Sequence, residues 1–173
     1  MNSIELNFRK TPKNPLVLKH YINTLYEKHH ILETKYYHEQ LMKEDPSGLE
    51  TNKMGYLLSI RLMNPHVAEF EKKLIKAGAT QEQVYALQLH FYYTFSDTLK
   101  MRDCANGLLD IEPTEEYTYE IVIESVLKLE DFELASRLVK YYFPRIKCSD
   151  KLLKALKRIM IKELLRIMRI KCR

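Results

Sequence analysis

The chain has 173 residues, 46% of them hydrophobic and 29% charged, with a formal net charge of +5. That is one domain's worth of sequence with enough apolar content for a core, and it is not the composition of a disordered tail, a collagen or a disulfide scaffold. Four glycines and six prolines are too few for a turn-rich β fold, and no apolar run approaches the ~18 residues of a membrane-spanning helix.

In chain order, residues 1–13 are expected to form an N-terminal extension. They lack the apolar stretch of a secretory signal, and they contain Glu5 with little Arg or Ser, unlike a transit peptide. The expectation is an intracellular protein, mitochondrial or cytoplasmic. Residues 14–173 read as a single helical-repeat domain. Its helix breakers recur: Pro15, Pro46-Ser47-Gly48, Gly78, Pro113 and Pro144 are separated by 31, 32, 35 and 31 residues. A weaker break stands near the middle of each interval, at His29-His30, Asn64-Pro65, Ser96-Asp97 and Glu130-Asp131. A period of ~33 residues made of two helices is the signature of a helical repeat array.

The interiors agree. Leu18, Tyr21, Ile22 and Leu25 fall on one helical face, as do Tyr119, Val122, Ile123 and Val126. Asn64 before Pro65, and Ser96 or Asp97, are suited to cap the helices that follow. Helices are expected at about 15–28, 31–44, 50–63, 65–77, 80–94, 97–110, 114–128, 131–143 and 149–171. Superposing Cys104–Leu109 on Leu134–Val139 places Ala105 over Ala135, small residues that let two helices approach closely. The predicted fold is all-α: a right-handed α-solenoid of about four helix pairs with a basic amphipathic C-terminal capping helix over 149–173.

That last segment holds nine basic residues and two acids, whereas the first 148 residues sum to −2. Leu152, Leu153, Leu156, Ile159, Met160, Leu164, Ile167 and Met168 make an apolar stripe, and the cations lie largely opposite. A terminal repeat helix must cover the last apolar face of the array, which explains the stripe. The cations opposite suit a polyanion, whose counterions they would displace.

The stretch Tyr117-Thr118-Tyr119-Glu120-Ile121-Val122-Ile123, with Glu130-Asp131-Phe132-Glu133-Leu134-Ala135-Ser136-Arg137-Leu138 after it, resembles one pentatricopeptide repeat. Ile146-Lys147-Cys148-Ser149-Asp150 is similar to the loop leading into a further repeat. The spacing of Tyr119, Val122, Val126 and Ala135 also resembles the tetratricopeptide pattern. The pentatricopeptide resemblance implies RNA contact and leans toward an organelle. It places Ile121 at a base-reading position, and an apolar residue there implies little base specificity. The tetratricopeptide resemblance implies capture of a protein segment instead.

No nucleophile elbow, P-loop, dinucleotide fingerprint or clustered catalytic carboxylates occur, so neither an enzyme, a small-molecule substrate nor a cofactor is expected. Cys104, Cys148 and Cys172 stand apart from one another, with no spacing for a disulfide framework or zinc. His29, His30, Glu33 and His38 lack metal-ligand spacing and read as turn or surface residues. Twelve tyrosines include the adjacent pairs Tyr36-Tyr37, Tyr92-Tyr93 and Tyr141-Tyr142. In such a pair one ring should face inward and the other out, where it could stack on a base. The candidate nucleic-acid contacts are Tyr141, Tyr142, Arg145, Lys147, Lys154, Arg158, Lys162, Arg166 and Arg169. The function expected is a non-catalytic adaptor that binds RNA or works in a ribonucleoprotein. The alternative is a protein–protein scaffold subunit without nucleic acid; membrane association is not expected.

Overall fold

A computed structural model describes residues 14–142 without interruption, together with Phe8, Lys10, Thr11, Lys154, residues 156–162 and Leu165. Every regular element among the described residues is helical. The helices are α1 (Pro15–Glu27), α2 (Ile31–Glu44), α3 (Leu49–Arg61), α4 (Val67–Lys76), α5 (Gln81–Phe95), α6 (Thr98–Asp110), α7 (Glu116–Leu129) and α8 (Phe132–Arg137). A π-helical turn, Leu138–Tyr142, continues α8. These helices begin and end within a few residues of the breaks predicted from the sequence. Residues 156–162 are helical inside the expected C-terminal helix, whose remaining length lies mostly outside the described residues.

Contacts divide the chain into two compact units, residues 1–80 and 81–173. In the first unit α1 packs on α2, α3 on α4, and α3 also on α1 and α2. Leu18, Ile22, Leu41, Met54 and Leu58 form its core. Phe8, from the expected extension, stacks on Tyr21 with ring centres 4.2 Å apart and meets Tyr37 edge-on. In the second unit α5 packs on α6 and α7, α6 on α7, and α7 on α8. Its larger core takes Leu89, Met101, Ala105, Leu108, Val122, Val126, Leu134, Ala135 and Leu138, and includes Leu156 and Ile159 of the C-terminal segment.

The turn inside each helix pair is the same device four times. His29, Met63, Ser96 and Glu130 have left-handed backbones, with φ of 62°, 50°, 56° and 50°. The amide after each returns to a carbonyl five residues back: His30 to Leu25, Asn64 to Ser59, Asp97 to Tyr92 and Asp131 to Val126. This is the Schellman closure of a helix end, and it usually takes glycine. Here no glycine is used, and each residue bears a left-handed penalty of about 1 kcal/mol. Met63 is 88% exposed. Met63→Gly should therefore raise unfolding stability by about 0.5–1 kcal/mol. Urea unfolding checks this; a lowered midpoint would show that the conformation costs methionine nothing.

The residue after each turn leads into the second helix. Asp97 accepts from the Lys100 amide at 3.2 Å and Asp131 from the Leu134 amide at 3.1 Å. Asn64 accepts from the His66 amide at 2.9 Å. The two aspartates satisfy donors that a helix start leaves without partners, whereas Asn64, expected as a cap, stands three residues before α4, whose cap residue His66 makes no side-chain bond. The caps Asp97 and Asp131 are 34 residues apart in the sequence, whereas Ala105 and Ala135 are 30 apart. The superposed alanines thus sit one turn out of register in their helices, although both are fully buried.

Polar ties join successive pairs within each unit. Glu82 on α5 accepts from the amides of Thr114 and Glu115 at 3.0 and 2.9 Å and from the Thr114 hydroxyl at 3.1 Å, covering the start of α7. Partial burial works to raise the Glu82 carboxyl. The backbone amides of Thr114 and Glu115, with the Thr118 and Thr114 hydroxyls, outweigh it and hold the group below its ordinary value of 4.5. A carboxyl depressed in the folded state adds stability above its unfolded pKa and loses it as pH falls through the folded one. The stability advantage of wild type over Glu82→Gln should therefore be full above pH 4.5 and shrink in acid. Thermal melts across pH 2–7 check it; a pH-independent difference would contradict the charged cap. In the first unit Asp45 plays a similar part. Its carboxylate takes the Lys19 amine at 2.6 Å and the Thr51 hydroxyl at 3.1 Å, and the Lys19 contact foremost holds it below its usual range. A Cβ at Gly48 would collide with that carboxylate.

Candidate nucleic-acid interface

The C-terminal segment is two-sided. Leu156 is fully buried and Ile159 is 7% exposed, both within the core of the second unit, and Met160 packs against that core. Lys154, Lys157, Arg158 and Lys162 are exposed. Residues three and four apart share a helix face, so burying 156 and 159 turns 154, 157, 158 and 161 outward. Ile161 and Leu165 are exposed beside the cations.

Of the nine candidate contacts, Lys154, Arg158 and Lys162 are described as exposed helical side chains. Lys162 is partly spent: its amine lies 2.7 Å from Glu130 at the α7–α8 turn, which ties the segment to the unit. Both groups are about two-thirds exposed, so the pair adds little stability. Tyr141 and Tyr142 lie in the π-helical turn, and only their backbone is described. Arg145, Lys147, Arg166 and Arg169 lie outside the described residues. Lys157, exposed between Lys154 and Arg158, belongs with the candidates; its place in the +7 run was the signal for it.

The other tyrosine pairs are otherwise employed. Tyr37 packs against the first core while Tyr36 is 59% exposed, dividing inside from outside. Tyr92 and Tyr93 are both half-buried, and Lys100 and Lys128 sit over their rings at 5.1 and 4.3 Å. The Lys128 amine also donates to the Tyr93 carbonyl at 2.6 Å, joining α7 to the end of α5. Such cation–π contacts occupy the faces a base would need. Ile121 is buried in the core, so its side chain is not offered to a base.

The exposed face of α7 is acidic. Glu116, Glu120 and Glu124 stand on successive turns, all exposed. They would repel phosphates along that helix.

The remaining reactive groups have structural partners. His38 is buried, with Nε2 2.9 Å from the Thr51 carbonyl; burial foremost lowers its pKa, so the ring is neutral and Nε2–H donates. His30 lies 3.6 Å from Glu33, away from His38, and no group of metal-binding residues occurs among the described residues. Burial, with Asp103 and Asp97 nearby, pushes the Cys104 thiol up to about 12, which leaves it un-ionised and inert. Among the described residues no helix is long and apolar enough to cross a membrane.

No known family model matches this chain. No curated protein and no solved structure matches it either. The functional reading therefore rests on the residues themselves.

Proposed function

We propose that the chain is a non-catalytic helical-repeat adaptor in a ribonucleoprotein setting. Its helix pairs would stack as a right-handed α-solenoid closed by the C-terminal helix, whose outer face meets RNA phosphates with little base specificity. The observation that carries this reading is the two-sidedness of that helix, with Leu156 and Ile159 in the core and Lys154, Lys157 and Arg158 in solvent. A helix serving only as a cover needs a polar outer face, but it does not need one sign of charge. Seven net positive charges over 149–173 suit a polyanion. The recurring turns at His29, Met63, Ser96 and Glu130 support the repeat reading.

Co-purification tests it. With twelve tyrosines and no tryptophan the clean protein has a weak, known ultraviolet spectrum, so carried RNA is easily detected. A high 260/280 nm ratio that collapses with ribonuclease and with salt is the expected result. A clean ratio at low salt would favour the second reading, a scaffold for a protein partner. That reading is supported by the acidic face Glu116, Glu120 and Glu124, which suits a basic protein segment better than RNA.

A further inference from the structure

The first unit carries two cavities that share one wall. One, of about 260 Å³, lies between α2, α3 and α4 and is lined by His38, Met42, Leu58 and Phe70 among others. The other, of about 380 Å³, lies at the far end of α2 and is lined by Met42, Pro46, Asn52, Lys73, Lys76 and Ala77. Met42 borders both, so they are successive parts of one groove.

The groove exists because α2 and α4 both pack on α3 and make little contact with each other. Gly55 of α3 lines it without adding a side chain, and a Cβ there would come within 3.1 Å of the His38 ring. The equivalent space in the second unit, between α6 and α8, is bridged. Arg137 reaches Asn106 at 2.8 Å and Asp110 at 2.7 Å, and Arg102 reaches Asp131 at 2.7 Å. No ion pair among those described joins α2 to α4.

Its walls are mostly apolar and its charge is uneven. Lys73 and Lys76 edge the larger cavity, and no acidic residue lines it. In the smaller one Glu39 and Lys35 offset each other. From Lys35 to Glu44, α2 spans about 14 Å at 1.5 Å per residue, room for two to three turns of a short helix. We propose that this groove docks a short acidic amphipathic segment of a partner protein, its apolar side chains filling the two cavities and its carboxylates meeting Lys73 and Lys76. Two lysines are too few to track a phosphate backbone. This docking is independent of RNA contact at the C-terminal helix.

The test is selection of a displayed library of random 16-residue peptides against the full chain, with affinities measured by fluorescence anisotropy. Enriched peptides should pair apolar residues with Asp or Glu. Lys73→Glu with Lys76→Glu, both at exposed positions, should weaken binding by about tenfold or more through like-charge repulsion and leave RNA affinity unchanged. Met42→Glu should weaken it as well, since Met42 borders both cavities. Circular dichroism confirms that the variants are folded. The proposal is overturned by no enrichment, by enrichment of basic peptides, or by affinities indifferent to these variants. It is overturned equally if sedimentation shows a second copy in the groove, as self-association lost in the double variant, or if that variant loses RNA binding.

Discussion

Ala135→Asp should unfold the second unit under conditions where the wild type is stable. Ala135 has no exposed surface and lies in α8 among the residues of the larger core, beside Leu134 and Leu138. A carboxylate there must leave water for an apolar core, with Arg137 already held by Asn106 and Asp110 and Arg102 by Asp131, or be protonated at a cost. Uncompensated buried charge costs about 3–5 kcal/mol. For a unit of this size each kcal/mol moves the midpoint by about 4–8 °C, so a fall of at least 12 °C is expected. Ala135→Ser, of similar volume and able to donate to a carbonyl one turn back, should cost far less. Melting followed at 222 nm measures both, and an unshifted midpoint for Ala135→Asp would mean that α8 does not sit in the core.

Reversing Lys154, Lys157 and Arg158 to Glu together should weaken RNA binding about a hundredfold at 0.1 M salt. The arithmetic is that of counterion release: each phosphate contact on a single strand contributes about 0.7 to the slope of log affinity against log salt. Three contacts therefore add about two decades between 1 M and 0.1 M. All three residues are exposed, so the variant should fold with unchanged helicity. Anisotropy of a labelled single-stranded RNA gives the affinity. Reversal of Lys72, an exposed cation on α4, is the control expected to change little.

The helix boundaries were legible because each turn has its own local chemistry. Asp97 and Asp131 cap through side chains that reach the amide three residues on, an interaction entirely within adjacent sequence. The left-handed residues were less readable, since Met63, Ser96 and Glu130 are not types that signal a positive φ. The helix closures around them overrule local preference. The alanine superposition failed by one turn because a buried helix face offers small residues at several equivalent turns, and only the caps fix the register.

Ties between pairs left no trace in the sequence. Glu82 with Thr114 and Lys128 with Tyr93 lie more than thirty residues apart and depend on helix packing to meet. The same holds for the groove between α2 and α4, which arises from how little those helices touch each other. At the candidate interface the amphipathic pattern of the last helix was plain, and Leu156 and Ile159 lie on the buried side as it predicted. Its pairing of Lys162 with Glu130 was not, because an ion pair across a turn needs the fold to place it.

The most direct measurement is the affinity of the whole protein for a labelled single-stranded RNA at several salt concentrations between 50 mM and 400 mM. Phosphate contact through the C-terminal face predicts a straight fall of log affinity against log salt, with a slope of about −2 or steeper that flattens by about 2 when Lys154, Lys157 and Arg158 are reversed. A flat line, or a slope that survives the reversal, would contradict it.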